Sequence, residues 1–258
     1  MHRSTSTGLR GSSGMNDPKF TYVGNELDNF SIVVNWKRYW SSMITPYLGK
    51  NVLEVGAGIG SSTEVLCSMS SAEAWHCLEP DSENIAILNS KKKTSDLPRY
   101  CTFQQGTIES LGPNARYESI LYIDVLEHIE DDQWEISEAA KHLKEKGYLI
   151  ILGPAFPFLF SEFDRAIGHF RRYTRSMFPK SHGDGLRIIQ TRYLDSAGLM
   201  ASLANRLLLR SPQPTKQQLS TWDRYLIPCS RFLDKIIQYN LGRSILVIYQ
   251  KNRDDINS

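Results

Sequence analysis

The sequence predicts an α/β fold built on a doubly wound, mostly parallel sheet. Short apolar runs alternate with helical stretches, the fifth run (Tyr148–Leu152) is almost uninterrupted, and a glycine-rich turn follows the first run. Strands that are apolar on both faces occur where helices cover both sides of a parallel sheet. We therefore expect a seven-stranded sheet, an N-terminal helix and a helical insert before the last strand.

The apolar runs give the order of the elements along the chain. Strands are predicted at Asn51–Val55, Ala74–Leu78, Cys101–Gln105, Ser119–Ile123, Tyr148–Leu152, Leu186–Arg192 and Ser244–Gln250. Helical spacing of apolar residues predicts helices at about Glu26–Tyr47, Ser61–Ser68, Ser82–Lys92, Asp131–Glu145, Tyr193–Leu209 and Gln217–Gln238. Gly147 is expected to end the helix that begins at Asp131.

The length and composition fit one globular domain. The chain has 258 residues, of which 41% are hydrophobic and 22% charged, enough for a well-buried core. We expect a single domain at residues 17–258, with the helical insert at 194–241 acting as an acceptor cover. The polar residues 1–16 are expected to be a disordered tail or tag.

The net charge and the cysteines restrict the possible binding partners and the cellular compartment of the protein. A formal net charge of +2 gives no electrostatic footprint for nucleic acid. The four cysteines form no C-x-x-C pair and no cluster with histidine, so the sequence predicts neither a metal site nor a disulfide framework and fits a reducing cytoplasm. No apolar run approaches the roughly 20 residues that cross a bilayer.

A glycine-rich turn follows the first strand, with glycine at Gly56, Gly58 and Gly60. Glycine lets the backbone turn tightly and approach a ligand, and the helix that follows offers free N–H groups. A dinucleotide fingerprint requires glycine at the position of Ser61. Glu54, two residues before the turn, would repel a pyrophosphate but pair with an ammonium group. The turn therefore favours a cationic nucleoside over NAD.

The pattern Glu54-x-Gly56-x-Gly58-x-Gly60 resembles the first motif of class I S-adenosylmethionine-dependent methyltransferases, a Rossmann-like family. Further acidic and polar residues follow the second, third and fourth strands at the points where that family binds its cofactor. The resemblance implies S-adenosyl-L-methionine as cofactor, with contacts from Glu54, Gly56, Ala57, Gly58, Gly60, Glu79, Pro80, Thr107, Ile108, Asp124, Val125 and His128. Three alternatives stay open: Glu79 only caps the next helix, Asp124 only orients backbone, and His128 packs near the cofactor without doing chemistry.

The most distinctive segment follows the fifth strand and contains Asp164-Arg165-x-x-Gly168-His169-x-Arg171-Arg172-Tyr173. It resembles a bacterial branch of the family whose members often accompany glycosyltransferases in cell-surface polysaccharide or natural-product pathways. His169 is a candidate general base, because its ordinary pKa lies near cellular pH. Candidates for the other roles are Asp164 to hold its tautomer, Glu162 as a second base, and Arg171, Arg172 and Tyr173 to bind the substrate. The alternative is that these residues only hold the loop together.

We therefore predict methyl transfer to a small-molecule acceptor, at a hydroxyl of a sugar or secondary metabolite. A nucleic-acid methyltransferase and a non-catalytic cofactor-binding protein are the alternatives. The first is disfavoured by the weak net charge and by the lack of an Asn-Pro-Pro-Tyr-like motif at 124–127. Apolar residues and arginines in the insert leave an acceptor cover, a homodimer contact and peripheral membrane contact open, so the chain is a monomer or a homodimer.

Overall fold

One continuous sheet forms the centre of the computed structural model, which describes residues 32–182, 185–208 and 215–252. Its strands are β1 (Asn51–Val55), β2 (Ala74–Glu79), β3 (Cys101–Gln105), β4 (Tyr117–Ile123), β5 (Leu143–Pro154), β6 (Ser181–His182), β7 (Leu186–Leu194) and β8 (Ser244–Lys251). They lie side by side in the order β3-β2-β1-β4-β5-β8-β7-β6. The seven predicted strands are confirmed, and the two-residue β6 is added at one edge.

Strands β1 to β5 run parallel, whereas β8 runs antiparallel to both β5 and β7. The carboxyl ends of the parallel strands therefore meet at one edge of the sheet. Because β8 is reversed, its first residue, Ser244, pairs with Pro154 at that same edge. Ligands of open α/β sheets bind at this edge, where the strand order changes direction.

Helices cover both faces of the sheet. They are α1 (Val34–Ile44), α2 (Ser61–Met69), α3 (Ser82–Lys93), α4 (Asp132–Lys141), α5 (Glu162–Ala166), α6 (Ser196–Leu208), α7 (Lys216–Thr221) and α8 (Ile227–Ile236). Alternate residues of β1 face opposite layers, so Val52 belongs to one apolar cluster and Leu53 to the other. None of the helices in the described part of the chain has the length and apolar character that a membrane crossing requires.

The predicted end of the helix beginning at Asp131 was wrong. That helix ends at Lys141, and β5 already begins at Leu143, which pairs with Tyr117 of β4. Gly147 lies inside the strand, where the register between β4 and β5 shifts, and Lys146 before it has a φ of 61°. Pairing with β4 therefore overrides the helical spacing of this segment.

The helical insert also differs in detail from the prediction. Helices α6 to α8 lie between β7 and β8, but a π-helical turn at Trp222–Leu226 separates α7 from α8 within the predicted helix 217–238. Pro228 follows as an early residue of α8, where its missing N–H costs least. Residues 209–214, the predicted tail 1–16, the helix start at 26–31 and the domain boundaries at 17 and 258 lie outside the described residues.

Helix α1 and the helical insert meet on one face of the sheet. The carboxylate of Asp223, in the π-helical turn, accepts hydrogen bonds from the backbone N–H groups of Asn35 (3.0 Å) and Trp36 (2.8 Å) at the start of α1. The rings of Trp36 and Trp222 lie 5.9 Å apart. Helix α1 and the insert therefore form one layer, and both contribute to the cavity described next.

Candidate functional site

A cavity of about 550 Å³ opens at the carboxyl-end edge of the sheet. Its walls come from the turn after β1, the ends of β2 and β4, the segment after β5, helix α1 and the start of β8. Most of the residues predicted for the cofactor line this cavity: Glu54, Gly56, Ala57, Gly58, Glu79, Pro80, Thr107, Asp124, Val125 and His128. The topology therefore brings predicted residues that are far apart in the sequence to one cavity.

The turn after β1 needs glycine at each of its three glycine positions. Gly56, Gly58 and Gly60 have φ values of 70°, 54° and 78°, in the left-handed region. A Cβ on Gly56 would lie 2.6 Å from Val125 Cγ2. A Cβ on Gly60 would lie 2.6 Å from Leu88 Cδ2, so Gly60 turns the chain into α2 beneath the apolar layer and does not line the cavity.

Glu54 is a buried carboxylate at the floor of the turn, with 2% of its surface exposed. Its Oε2 atom accepts hydrogen bonds from Thr63 Oγ1 and Trp75 Nε1, both at 2.8 Å. Burial raises the pKa of Glu54 to about 7, although both hydrogen bonds favour the charged form. The carboxylate is therefore costly to bury, as expected of a group kept for a ligand.

Glu79 links the end of β2 to the glycine turn. Its carboxylate accepts hydrogen bonds from the backbone N–H groups of Gly58 (2.7 Å) and Asp81 (3.0 Å) and from Asn84 Nδ2 (3.3 Å). Asp81, not Glu79, caps helix α3, since its carboxylate accepts the Glu83 N–H at 2.7 Å. The capping alternative for Glu79 was therefore wrong, and burial raises its pKa.

The turn after β3 contributes one of the two residues predicted there. Thr107 lines the cavity, whereas Ile108 is 1% exposed and packs in the apolar cluster beneath the sheet edge. The prediction of Ile108 as a residue lining the cofactor site was wrong, because the 3₁₀ turn that it begins directs it into the core.

Asp124 directly follows β4 and has a φ of 53°, and its N–H donates to the carbonyl of Leu152 at 2.8 Å. Its side chain is open to the cavity but enclosed by protein elsewhere. This enclosure raises the pKa of Asp124 to about 6, against the opposing charges of His169 and Arg243. Asp124 therefore does more than orient backbone, since its carboxylate lies between the glycine turn and the segment after β5.

Asp164 is the centre of the segment after β5 and is fully buried. Its carboxylate accepts hydrogen bonds from Ser161 N (2.8 Å), His169 Nδ1 (2.9 Å) and Arg172 Nε (2.9 Å). Burial alone would raise its pKa, but the bonds from His169 and Arg172 hold the pKa of Asp164 well below its usual range. Asp164 is thus placed against His169 Nδ1, where the predicted role of holding the tautomer of His169 requires it.

The other residues predicted for catalysis or substrate binding divide into two groups. His169 and Arg172 line the cavity, as predicted. Glu162 does not: it is exposed on α5 and pairs with Arg165 on the protein surface, so it is not placed to act as a second base.

Arg171 and Tyr173 also lie away from the cavity, which corrects their assignment to the substrate. Arg171 pairs with Asp132 at 2.8 Å and donates to the carbonyl of Ile129 at 3.0 Å. The buried Tyr173 hydroxyl donates to the same Asp132 carboxylate at 3.1 Å. Both residues therefore attach the segment to the start of α4, the role that the sequence left open as the alternative.

His128 follows β4 in a 3₁₀ turn and meets His169 edge to face, with ring centroids 4.6 Å apart. Burial and the nearby charge of His169 lower the pKa of His128 to about 4. Glu127, 1% exposed, lies beside them, and ligand atoms of Glu127, His128 and His169 all come within 4.8 Å of one another. The sequence predicted no metal site, because His169 comes from a segment that is distant in the sequence from Glu127 and His128.

Sequence reasoning missed several charged residues that line the cavity, among them Lys37, Asp195 and Arg243. Burial lowers the pKa of Lys37 on α1 to about 8, and the charge of Glu64 opposes this. Burial also lowers the pKa of Arg243, whose guanidinium lies 5.2 Å from the centre of the Trp222 ring. Lys37 could have been recognised in the sequence, because it lies on an otherwise aromatic face of its helix. The sequence around Asp195 and Arg243 has no comparable feature.

Comparison with known proteins adds a family and relatives. Residues 53–151 match the family model described as "Methyltransferase domain". The chain is 27% identical to the ubiquinone biosynthesis O-methyltransferase of Paramagnetospirillum magneticum over 106 aligned residues. The aligned residues make up 41% of this chain and 41% of that protein. The match thus spans about two fifths of that relative. The matched domain includes the glycine turn, and it supports the predicted class of enzyme.

Solved structures support the fold. The chain is similar to coclaurine N-methyltransferase bound to N-methylheliamine and SAH, with a TM-score of 0.57 and 13% identity over 83% of this chain and 72% of that one. It is equally similar to the [4+2]-cyclase SpnF, with a TM-score of 0.56 and 15% identity over 84% of this chain and 80% of that one. The predicted Rossmann-like methyltransferase fold is confirmed. Because a cyclase shares it, the fold alone does not fix the reaction.

Proposed function

We propose that this chain, whose residues 53–151 form a methyltransferase domain, transfers the methyl group of S-adenosylmethionine to a hydroxyl of a small-molecule acceptor. The observation that carries the proposal is one cavity that joins two different sets of side chains. On one side lie the glycine turn with Glu54 and Glu79, and on the other lies His169, held by Asp164. The first set suits the cofactor and the second suits an acceptor.

The residues on the cofactor side fit S-adenosylmethionine. A Cβ at Gly56 would collide with Val125, so only glycine allows the tight turn that forms this wall of the cavity. Glu54 can pair with the ammonium group of the methionine moiety, and Glu79 offers carboxylate oxygens to the ribose hydroxyls. The buried Lys37 offers a cation to the carboxylate of the same moiety.

When bound, the cofactor supplies a methyl group on a positively charged sulfur; a C–O bond forms at the acceptor as the C–S bond breaks, with the bonding electrons left on sulfur and the hydroxyl proton released. The protein contributes position and proton removal. Asp164 accepts from Nδ1 of His169, so the remaining nitrogen, Nε2, is the one available to activate the hydroxyl. We assign Asp124 and His128, between the two sides, to the wall that brings acceptor and methyl group together.

An acceptor hydroxyl on a sugar or secondary metabolite is favoured by the charge of the second side. Arg172 pairs with Asp164, whereas Arg243 lines the cavity near Asp124 and Asp195 and can offer its guanidinium to an anionic group of the acceptor. The O-methyltransferase relative supports oxygen as the methylated atom. A natural-product or polysaccharide pathway, a cytoplasmic location and a monomer or homodimer remain predictions.

Calorimetry with S-adenosylhomocysteine and, in parallel, NAD tests the cofactor. We expect S-adenosylhomocysteine to bind and NAD not to bind; binding of NAD alone would overturn the proposal. Transfer is then measured with S-adenosylmethionine carrying an isotopically labelled methyl group and a panel of hydroxylated sugars and metabolites. An RNA and a DNA duplex serve as the nucleic-acid arm. Cofactor binding with label in no acceptor would instead support a non-catalytic binding protein.

A further inference from the structure

Glu127, His128 and His169 surround a small niche in the wall of the cavity. The first two residues come from the 3₁₀ turn after β4, and His169 comes from the segment after α5. One ligand atom from each lies within 4.8 Å of the others, and the side chains of His169 and Glu127 are 9% and 1% exposed. Two separate parts of the fold thus bring two imidazoles and one carboxylate together at the acceptor side.

Each histidine is oriented through groups outside the niche. Asp164 accepts a hydrogen bond from His169 Nδ1 at 2.9 Å, which directs Nε2 toward the niche. His128 is held by backbone hydrogen bonds with Ile167 and Gly168. A carboxylate or a backbone carbonyl on the far ring nitrogen is the usual arrangement behind metal-binding histidines, because it fixes the tautomer and the ring direction.

The dimensions of the niche suit a metal ion. His169 Nε2 lies 3.8 Å from Glu127 Oε1, which is longer than a hydrogen bond. Two ligands at about 2.0–2.2 Å from a tetrahedral zinc ion lie about 3.4 Å apart. A shift of a few tenths of an ångström therefore brings this pair to metal-binding distance. The ligand atoms as a set lie within 4.8 Å of one another, so the other pairs close by up to about 1.4 Å when an ion binds. Glu127 Oε1 and, in the neutral ring, His169 Nε2 carry electron pairs that a cation between them can bind.

We propose that Glu127, His128 and His169 bind one divalent transition-metal ion of the zinc type. Two histidines and one carboxylate leave a coordination position open, as in catalytic zinc sites, and all three residues line the cavity. The role of the ion rests on the proposed function. It would revise one step of that function: the ion would bind the acceptor hydroxyl, lower the pKa of that hydroxyl and pass its proton to water. His169 Nε2, assigned above to activate the hydroxyl directly, would then act through the ion as a metal ligand.

Metal binding to the purified full chain tests the inference. The protein is stripped with a chelator and dialysed against Zn²⁺, and the bound metal is measured by mass spectrometry; Co²⁺ replaces Zn²⁺ for an absorption spectrum that reports histidine ligation. The variants are Glu127→Gln, His128→Gln and His169→Gln. His142→Gln is the matched control. His142 is also buried, but it directly precedes β5 and its Nδ1 atom hydrogen-bonds with the carbonyl of Ala115.

We expect one Zn²⁺ per chain in the wild type and in the His142→Gln control, and loss of stoichiometric binding in the three ligand variants. Asp164→Asn should weaken binding by about 10- to 100-fold, as loss of an outer partner does. Equal zinc content in the wild type and His169→Gln would overturn the metal site. S-adenosylhomocysteine binding to the stripped protein separates the two proposals, because it tests the cofactor side without the ion.

Discussion

The indole Nε1 of Trp75 donates a 2.8 Å hydrogen bond to the buried carboxylate of Glu54. Trp75 lies on β2, fully buried in the same apolar layer as α1. The bond therefore fixes the acidic residue of the glycine turn from the neighbouring strand. Because burial nevertheless raises the pKa of Glu54 to about 7, the protein keeps a carboxylate where an uncharged group would be more stable.

Glu54→Gln should stabilise the protein at high pH. Folding raises the pKa of Glu54 from 4.5 to about 7, so the folded state binds more protons in this window and stability falls as pH rises through it. Glutamine cannot ionise, and its carbonyl oxygen still accepts from Thr63 and Trp75. We expect a gain of up to about 3 kcal/mol at pH 8 and little change at pH 4.5. Thermal unfolding at both pH values measures it; an equal effect at both would refute the titration of Glu54.

The same Glu54→Gln variant should bind S-adenosylhomocysteine more weakly. Losing a charge that pairs with the ligand's ammonium group costs about 1.5–3 kcal/mol, or roughly 10- to 150-fold in affinity. Isothermal titration at pH 8 gives the value. A more stable variant with unchanged affinity would show that Glu54 does not pair with the ligand.

Glu79→Gln tests the second acidic residue of the cofactor side. Glutamine offers one acceptor oxygen where the carboxylate serves Gly58, Asp81 and Asn84, so the turn loosens and the ribose hydroxyls lose a partner. We expect a 10-fold or greater loss of affinity for S-adenosylhomocysteine. Glu83→Gln, an exposed position on the adjoining helix, is the control and should bind as the wild type does.

Asp164→Asn should damage both stability and turnover. The change leaves the buried Arg172 without its anionic partner, which costs about 3 kcal/mol and lowers Tm by roughly 6–12 °C. It also releases His169, so turnover should fall about 100-fold or more even where the protein is folded. Glu162→Gln, on the exposed face of the same helix, should change neither. If Glu162→Gln reduced turnover as strongly, the placement of Glu162 outside the site would be wrong.

Gly56→Ala should destabilise the fold, because alanine at a φ of 70° is strained and its Cβ would meet Val125 at 2.6 Å. The strain alone costs about 1–3 kcal/mol, which urea unfolding can resolve. Gly112→Ala is the control, since nothing lies within 4 Å of an added Cβ there. Similar losses at both positions would contradict the geometry of the turn.

The fold could be predicted where local pattern and tertiary structure agree. Asn51–Val55 and Cys101–Gln105 begin and end as predicted, because each apolar run lies between turn residues. The segment 143–147 could not be predicted, because its pairing with Tyr117 depends on a strand that is distant in the sequence. The π-helical turn at Trp222–Leu226 likewise follows from the contact of Asp223 with α1 and not from its own spacing.

The residues of the site also divide into those that the sequence could predict and those that it could not. The glycine turn was predictable because its function requires a continuous local sequence. Of three consecutive residues, Arg171, Arg172 and Tyr173, only Arg172 reaches the cavity, and the other two turn toward Asp132. The direction of each side chain depends on a partner from another segment. The positions of Arg243 and Glu127 were hidden for the same reason.

The place of β8 between β5 and β7 has a consequence for biosynthesis. Residues 244–251 are the last of the sheet to leave the ribosome, yet they supply its middle. Until then the nascent chain holds two unpaired strand edges, each a template for association with other chains. Long-range pairing of this kind also slows folding. A truncated product that stops before residue 244 is therefore expected to depend on chaperones and to aggregate when they are scarce.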